Sequence, residues 1–295
     1  MRDFKSLIAI ILISFFISNI AIAQNEGASV KVETKDGNIY VGRIVSEDST
    51  TVVIETEELG QIPIKKAAIT SRTKIDSTKM VKGKLWDDNP QSTRYLWTPN
   101  GYGLKKGEAY YQNIWVLYNQ VSVGITDNIS ASIGTIPLFL FGVDVTPVWI
   151  IPKFSIPIIK DKINMGLGVF AGAVIGEENN AFGLGFGTIT LGNRDKNLNI
   201  GVGWGYTPEG LAQRPLINLS GMIRVSANGY FLTENYFIPL GDNSNLVLFS
   251  AGGRYMIKKV GIDFGLYLPL SSEIGQFIAI PLLGITLPFG RVANK

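Results

Sequence analysis

Four ionisable residues stand inside the apolar, glycine-rich later part of this chain: Arg224, Glu234, Arg254 and Asp263. Their types and spacing leave three roles open. Glu234 and Asp263 could act as paired carboxylates in acid–base chemistry, although such a pair without a shaped cleft is weak ground for catalysis. The four could instead form a charged constriction that selects solutes. They could also be a polar network that fills an interior and fixes strand register. The rest of the inventory narrows the choice, since the 295 residues include no His and no Cys. That removes the Ser-His-Asp triad, the Cys-His pair, imidazole and thiolate metal ligands, and any disulfide framework. No catalytic residue, metal ligand or cofactor is assigned, and the sequence reads as that of a non-enzyme.

The elements that must carry these residues have an unusual composition. Hydrophobic residues make up 46% of the chain and charged residues 17%, against roughly 25% charged in soluble domains. A formal charge of +3 without a long basic patch gives no footprint for a nucleic-acid partner. From Gly107 onward, segments of about 8–12 residues alternate apolar with small or polar residues, as transmembrane strands do. Asn197–Tyr206 is the clearest. Leu198, Ile200, Val202, Trp204 and Tyr206 share one face, and Asn197, Asn199, Gly201, Gly203 and Gly205 share the other. A soluble sheet would carry Lys and Glu on its wet face; here that face is Gly, Asn, Ser and Thr. The pattern predicts an all-β fold, with residues 107–295 forming a transmembrane antiparallel barrel of about twelve strands, ten being the alternative.

Aromatic residues near strand ends suggest interfacial girdles: Trp149, Phe170, Trp204, Tyr206, Tyr255 and Phe289. Short turns at 127–128, 160–161, 193–196, 227–229 and 258–259 alternate with longer connections. In outer-membrane barrels the short turns face the periplasm, which puts both mature termini there. The location read from these features is the bacterial outer membrane, with its lipid as surroundings.

The start of the chain reads as a signal peptide, residues 1–23. Arg2 and Lys5 precede the apolar run Leu7–Ile17, and Ala21-Ile22-Ala23 ends it. Residues 24–75 read as a small periplasmic β-module of five short strands, with Asp36-Gly37 as a hairpin turn. Residues 76–106 lack a sustained period and read as a linker or a barrel plug. The run Val32–Ile44, with its turn glycine and Gly42-Arg43-Ile44 step, resembles the start of an Sm-like (SH3-like) fold. An envelope protein is the candidate partner for residues 29–75; RNA binding does not transfer with the resemblance. The stretch Gly107–Asn113, then Val123–Asn128 and Leu232–Tyr236, resembles a group of uncharacterised Gram-negative outer-membrane barrel proteins. That resemblance implies a fold and a place, and no activity.

Strand pairing gives the sharpest expectations. A two-residue turn at Lys258-Lys259 puts Arg254 opposite Asp263. A three-residue turn at Ala227–Gly229, with Gly in the left-handed position, puts Glu234 opposite Met222 and diagonal to Arg224, predicting an Arg224–Glu234 pair. All four charges are assigned to the lumenal face. Two functional readings follow: a narrow pore or envelope scaffold, or an anchored binding protein using its outer loops or its module.

Overall fold

The computed structural model describes residues 29–75, 79–81, 84–178, 180–240, 244–271 and 278–291. The expected signal peptide at 1–23 lies outside the described residues. The chain divides between Trp86 and Asp87 into two units, and residues 87–106, part of the segment expected as a linker or barrel plug, fall in the second.

The first unit holds five antiparallel strands: β1 (Ser29–Thr34), β2 (Ile39–Glu47), β3 (Thr51–Thr56), β4 (Gly60–Lys65) and β5 (Ile69–Lys74). Their order is β4-β3-β2-β1-β5, and alternate side chains make the core, Val30, Val32, Val52, Ile54 and Ile64. The Asp36-Gly37 turn closes with Gly37 N–H on Thr34 O at 2.9 Å, and Gly37 has φ +84°, a conformation that glycine adopts without strain. A two-residue ladder, β6 (Met80–Val81) with β7 (Lys84–Leu85), ends the unit.

The second unit is a closed antiparallel barrel of twelve strands. They are β8 (Glu108–Ile114), β9 (Tyr118–Gly124), β10 (Ile129–Thr135), β11 (Thr146–Ile159), β12 (Ile163–Ile175), β13 (Phe182–Gly192), β14 (Lys196–Thr207), β16 (Leu216–Arg224), β17 (Gly229–Pro239), β18 (Asn245–Ile257), β19 (Val260–Leu270) and β20 (Ile280–Gly290). A two-residue strand, β15 (Gly210–Leu211), extends the β14 hairpin. Each strand pairs with its sequence neighbour, and β20 pairs back onto β8, from Gly284↔Ile114 to Gly290↔Glu108. Closure leaves no unpaired strand edge, which is the condition for β-structure to cross a bilayer.

The burial pattern inverts that of a soluble protein. Outward positions carry Ile200, Val202, Leu219, Phe249, Phe264 and Leu283, all exposed, while Gln112, Thr190, Asn199, Ser220, Glu234 and Arg254 are buried. Apolar side chains turned outward around a closed wall, with polar ones inside, form a membrane-spanning barrel. Among the described residues no helix is long and apolar enough to cross a membrane.

Two of the six girdle assignments are corrected. Trp149 is only 4% exposed, and its indole donates to Gln120 Oε1 at 3.0 Å. It pairs with Gly134 and Gly172, and those glycines leave room for an inward ring. Phe170 stacks on Trp149 at 5.9 Å and is likewise lumenal. Trp204, Tyr255 and Phe289 do point outward, at 47%, 50% and 41% exposure. Tyr206 lies half-buried at the rim over Gly183, its cross-strand neighbour.

Candidate functional site: the barrel lumen

Residues 87–104 run into the lumen and return towards the same end. Asp87 O accepts from Arg224 at 2.7 Å, and Asn89 Nδ2 donates to Arg194 O at 3.2 Å, both beside short turns. The chain then reverses in a hairpin: Asn100 N–H bonds Thr93 O, and Tyr95 N–H bonds Thr98 O, each at 3.0 Å. Pro99 stiffens the return, and the Asn100 side chain ties Ser92 O at 2.9 Å to Tyr102 N–H at 2.9 Å. On the way out the Tyr102 hydroxyl donates to Gly192 O at 2.6 Å. The fit against the wall is close. A Cβ on Gly101 would lie 2.4 Å from Asn164 O, and one on Gly261 would lie 2.2 Å from the Gln91 amide.

Glu234, fully buried on β17, holds the hairpin tip. Its Oε2 accepts three successive backbone N–H groups, from Leu96 at 2.8 Å and from Trp97 and Thr98 at 3.1 Å. Its Oε1 accepts the hydroxyls of Tyr236 at 2.6 Å and Tyr267 at 3.2 Å. Both oxygens are thus occupied by donors. This carboxylate positions backbone, and the acid–base reading of Glu234 finds no substrate-facing oxygen. Tyr95 and Leu96 also enter an apolar cluster with Ile114, Met222, Leu232 and Met256, so polar and apolar contacts both hold the tip.

Arg254 and Asp263 face each other across the β18–β19 hairpin, the register that the Lys258-Lys259 turn implies. Lys258 takes the left-handed conformation, φ +57°, which a glycine or asparagine would adopt more readily. Arg254 Nε meets Asp263 Oδ1 at 2.5 Å, and Arg254 also donates to the carbonyls of Gln91 and Tyr95 at 3.0 and 2.6 Å. A second cation joins them: Arg94, from the hairpin, bonds Asp263 Oδ2 at 2.8 Å and Thr286 Oγ1 at 2.5 Å. One aspartate therefore ties two strands and the hairpin together.

The expected Arg224–Glu234 pair is not formed. Arg224 pairs with Tyr230 and Glu234 with Ser220, two positions from the expected register. The connection runs through Val225–Asn228, closed by Val225 N–H on Gly229 O at 2.9 Å, and Gly229 is not left-handed. Arg224 turns to the short-turn rim instead. There it meets Asp195 at 3.1 Å, donates to Ala227 O at 2.5 Å and lies over the Tyr230 ring at 5.2 Å.

Beyond the tip the lumen opens into a cavity of about 880 Å³ towards the long-loop end. Trp97, Thr98 and Pro99 floor it, and Phe170, Phe182 and Leu184 stand in its wall. Sequence reasoning passed over Arg94, Trp97 and Phe182, and placed Phe170 on the outer face. Two signals were present: the apolar Tyr95-Leu96-Trp97 triplet inside a polar stretch, and the even-numbered parity that Phe170 shares with Gly166 and Gly168.

No protein-family model matches the sequence, and no curated protein matches it. Solved structures with a similar fold include Pseudomonas aeruginosa OpdQ, at 8% identity and TM-score 0.36 over 59% of this chain and 56% of that one. The chain thus spans little more than half of OpdQ's length. NanC porin gives 10% identity and TM-score 0.41 over 63% of this chain and 99% of that one. Salmonella typhi OmpF, in a complex with daunomycin, gives 10% and 0.32 over 89% and 95%. The strand ladder itself carries the assignment: a closed twelve-stranded barrel with an apolar outer face and a polar interior belongs to the bacterial outer membrane.

Proposed function

We propose that the protein is a non-enzymatic outer-membrane channel held shut by its own hairpin. The observation that carries this reading is the seating of the Leu96–Thr98 tip on Glu234. Charge-assisted hydrogen bonds in a water-poor interior are strong and directional, so the tip is a seated stopper. Replacing Arg94–Pro99 by two glycines keeps the hairpin's ends close together and removes the tip. In planar bilayers the unaltered protein should be nearly silent and the shortened one should conduct steadily, with heat-modifiable gel migration showing that both barrels fold. Steady conductance by the unaltered protein would sink the reading.

Two further assignments belong to this proposal. Barrel entry at Glu108 and exit at Gly290 lie at the short-turn end, which supports termini in the periplasm. The five-strand module is then placed in the periplasm, in a docking role towards an envelope protein. An anchored binding protein is the second reading, and the cavity above the hairpin tip favours it.

A further inference from the structure

We propose that the long-loop half of the lumen is a binding site for an uncharged, largely apolar small molecule. The proposal deepens the closed-channel reading and rests on it, because the seated hairpin supplies the cavity floor through Trp97, Thr98 and Pro99. Its volume, about 880 Å³, falls in the range of sites for drug-sized ligands, roughly 300–1,000 Å³.

The lining chemistry selects the class. Rings from four strands form a row in the wall, Tyr118 on Trp149 at 4.9 Å, Trp149 on Phe170 at 5.9 Å and Phe170 on Phe182 at 5.8 Å, and Tyr118, Phe170 and Phe182 line the cavity. On β14, Gly201, Gly203 and Gly205 carry no side chain into the space, so the cavity is kept open there. A water-filled pore for hydrophilic solutes would need polar walls. Among the described residues the lining includes no Lys or Arg, and Glu209 at the β14–β15 turn is its one acid. A carboxylate or phosphate would therefore lose its hydration without gaining a cation.

Polar groups near the floor are satisfied within the protein. Tyr236 O–H donates to Glu234 and accepts from the Trp97 indole at 2.6 Å. Asn218 donates to Asn235 O at 3.0 Å and accepts from Ser220 at 2.9 Å. They call for no polar ligand. A preformed apolar cavity is poorly hydrated, and filling it with hydrocarbon is favourable. The occupant is a neutral hydrocarbon-like molecule, either a free compound entering past the long loops or an acyl chain of a membrane lipid.

The test uses the full chain in phosphatidylcholine nanodiscs with the neutral dye N-phenyl-1-naphthylamine. Saturable one-to-one binding above that of empty nanodiscs is expected. Gly201→Phe should weaken it by roughly tenfold or more: the new Cβ would sit 3.5 Å from Asn218, an ordinary contact, and the ring would fill the cavity. Gly205→Phe, whose nearest neighbours are 3.8 Å away, is the second filling variant. Ile200→Phe, on the lipid face, should change nothing, and the sulfonated analogue of the dye should bind about tenfold more weakly or worse. Binding that appears only after bilayer lipid is replaced by a short-chain surfactant would support the site and name the acyl chain as occupant. No saturable binding in either medium, undiminished binding in both folded glycine variants, or equal binding of the anionic dye would overturn the proposal. If the unaltered protein is silent in bilayers yet binds no dye, this inference fails alone; steady conductance fails the closed-channel reading.

Discussion

Asp263 is the single residue on which most of the buried charge converges. With Arg254 at 2.5 Å and Arg94 at 2.8 Å, all buried, it is the acid between two guanidiniums. Removing one member of a buried ion pair costs about 3–5 kcal/mol, because the partner stays desolvated without its counter-charge. Asp263→Asn should accordingly lower the temperature of the heat-modifiable gel transition markedly. Arg94→Met keeps the Arg254–Asp263 pair and should cost clearly less. Equal losses in the two variants would mean that the hairpin arginine, not the strand pair, dominates. Because the site is enclosed, added salt should barely change either loss.

At the scale of elements, β14 shows how face and depth decide tolerance. Val202 points outward into lipid, and an arginine at a lipid-facing midplane position costs about 2–4 kcal/mol. Asn199, on the opposite face of the same strand, would be the simplest lumenal control. The structure removes that choice, since Asn199 is fully buried and accepts hydrogen bonds from Thr188 and Thr190 beneath the hairpin. Gly205, inward and spacious, is the better control. Val202→Arg should impair assembly into the membrane, scored by folded yield, and Gly205→Arg should not. The five-strand module responds to pH through another feature. Hydrogen bonds and charge from Lys66 and Arg72 hold the Glu47 carboxyl below its ordinary range, and backbone N–H groups of Thr50 and Thr51 do the same for Asp48. A depressed folded pKa adds stability above the unfolded pKa, and that stability is lost as pH falls through the folded value. Cleavage of the module by an acid protease should therefore accelerate below about pH 4, and Glu47→Gln should blunt that acceleration.

For the whole molecule, the two ends of the barrel differ. One end has short turns, both chain connections and the hairpin; the other has the longer loops and the cavity. The absence of cysteine makes orientation directly measurable. Leu140→Cys, in the one-turn 3₁₀ segment Leu138–Phe141 between β10 and β11, should react with an impermeant maleimide on intact cells. Lys258→Cys, in a short turn, should react only after the envelope is permeabilised. The reverse pattern would invert the barrel and place the cavity mouth in the periplasm.

By itself the sequence determined what depends on neighbours along the chain. Period-two alternation set the barrel strands, their faces and the outward Val202, because a one-residue slip would carry polar side chains into lipid. A two-residue turn set Arg254 opposite Asp263. Only the tertiary structure decided what depends on distance in space. Arg94 reaches Asp263 from 169 positions away, and no local period encodes such a contact. Glu234 serves the tip of a segment that lacks strand pattern, since that segment is folded by the lumen around it. Trp149 and Phe170 could have pointed to either side by chemistry alone; a facing glycine, Gly134, makes room for the Trp149 ring, and Phe170 stacks on that ring in a lumen filled from one end only. Arg224 went to the rim because the turn closes on Val225 and Gly229, one residue earlier than expected, and moving a turn by one residue shifts every pair beyond it by two.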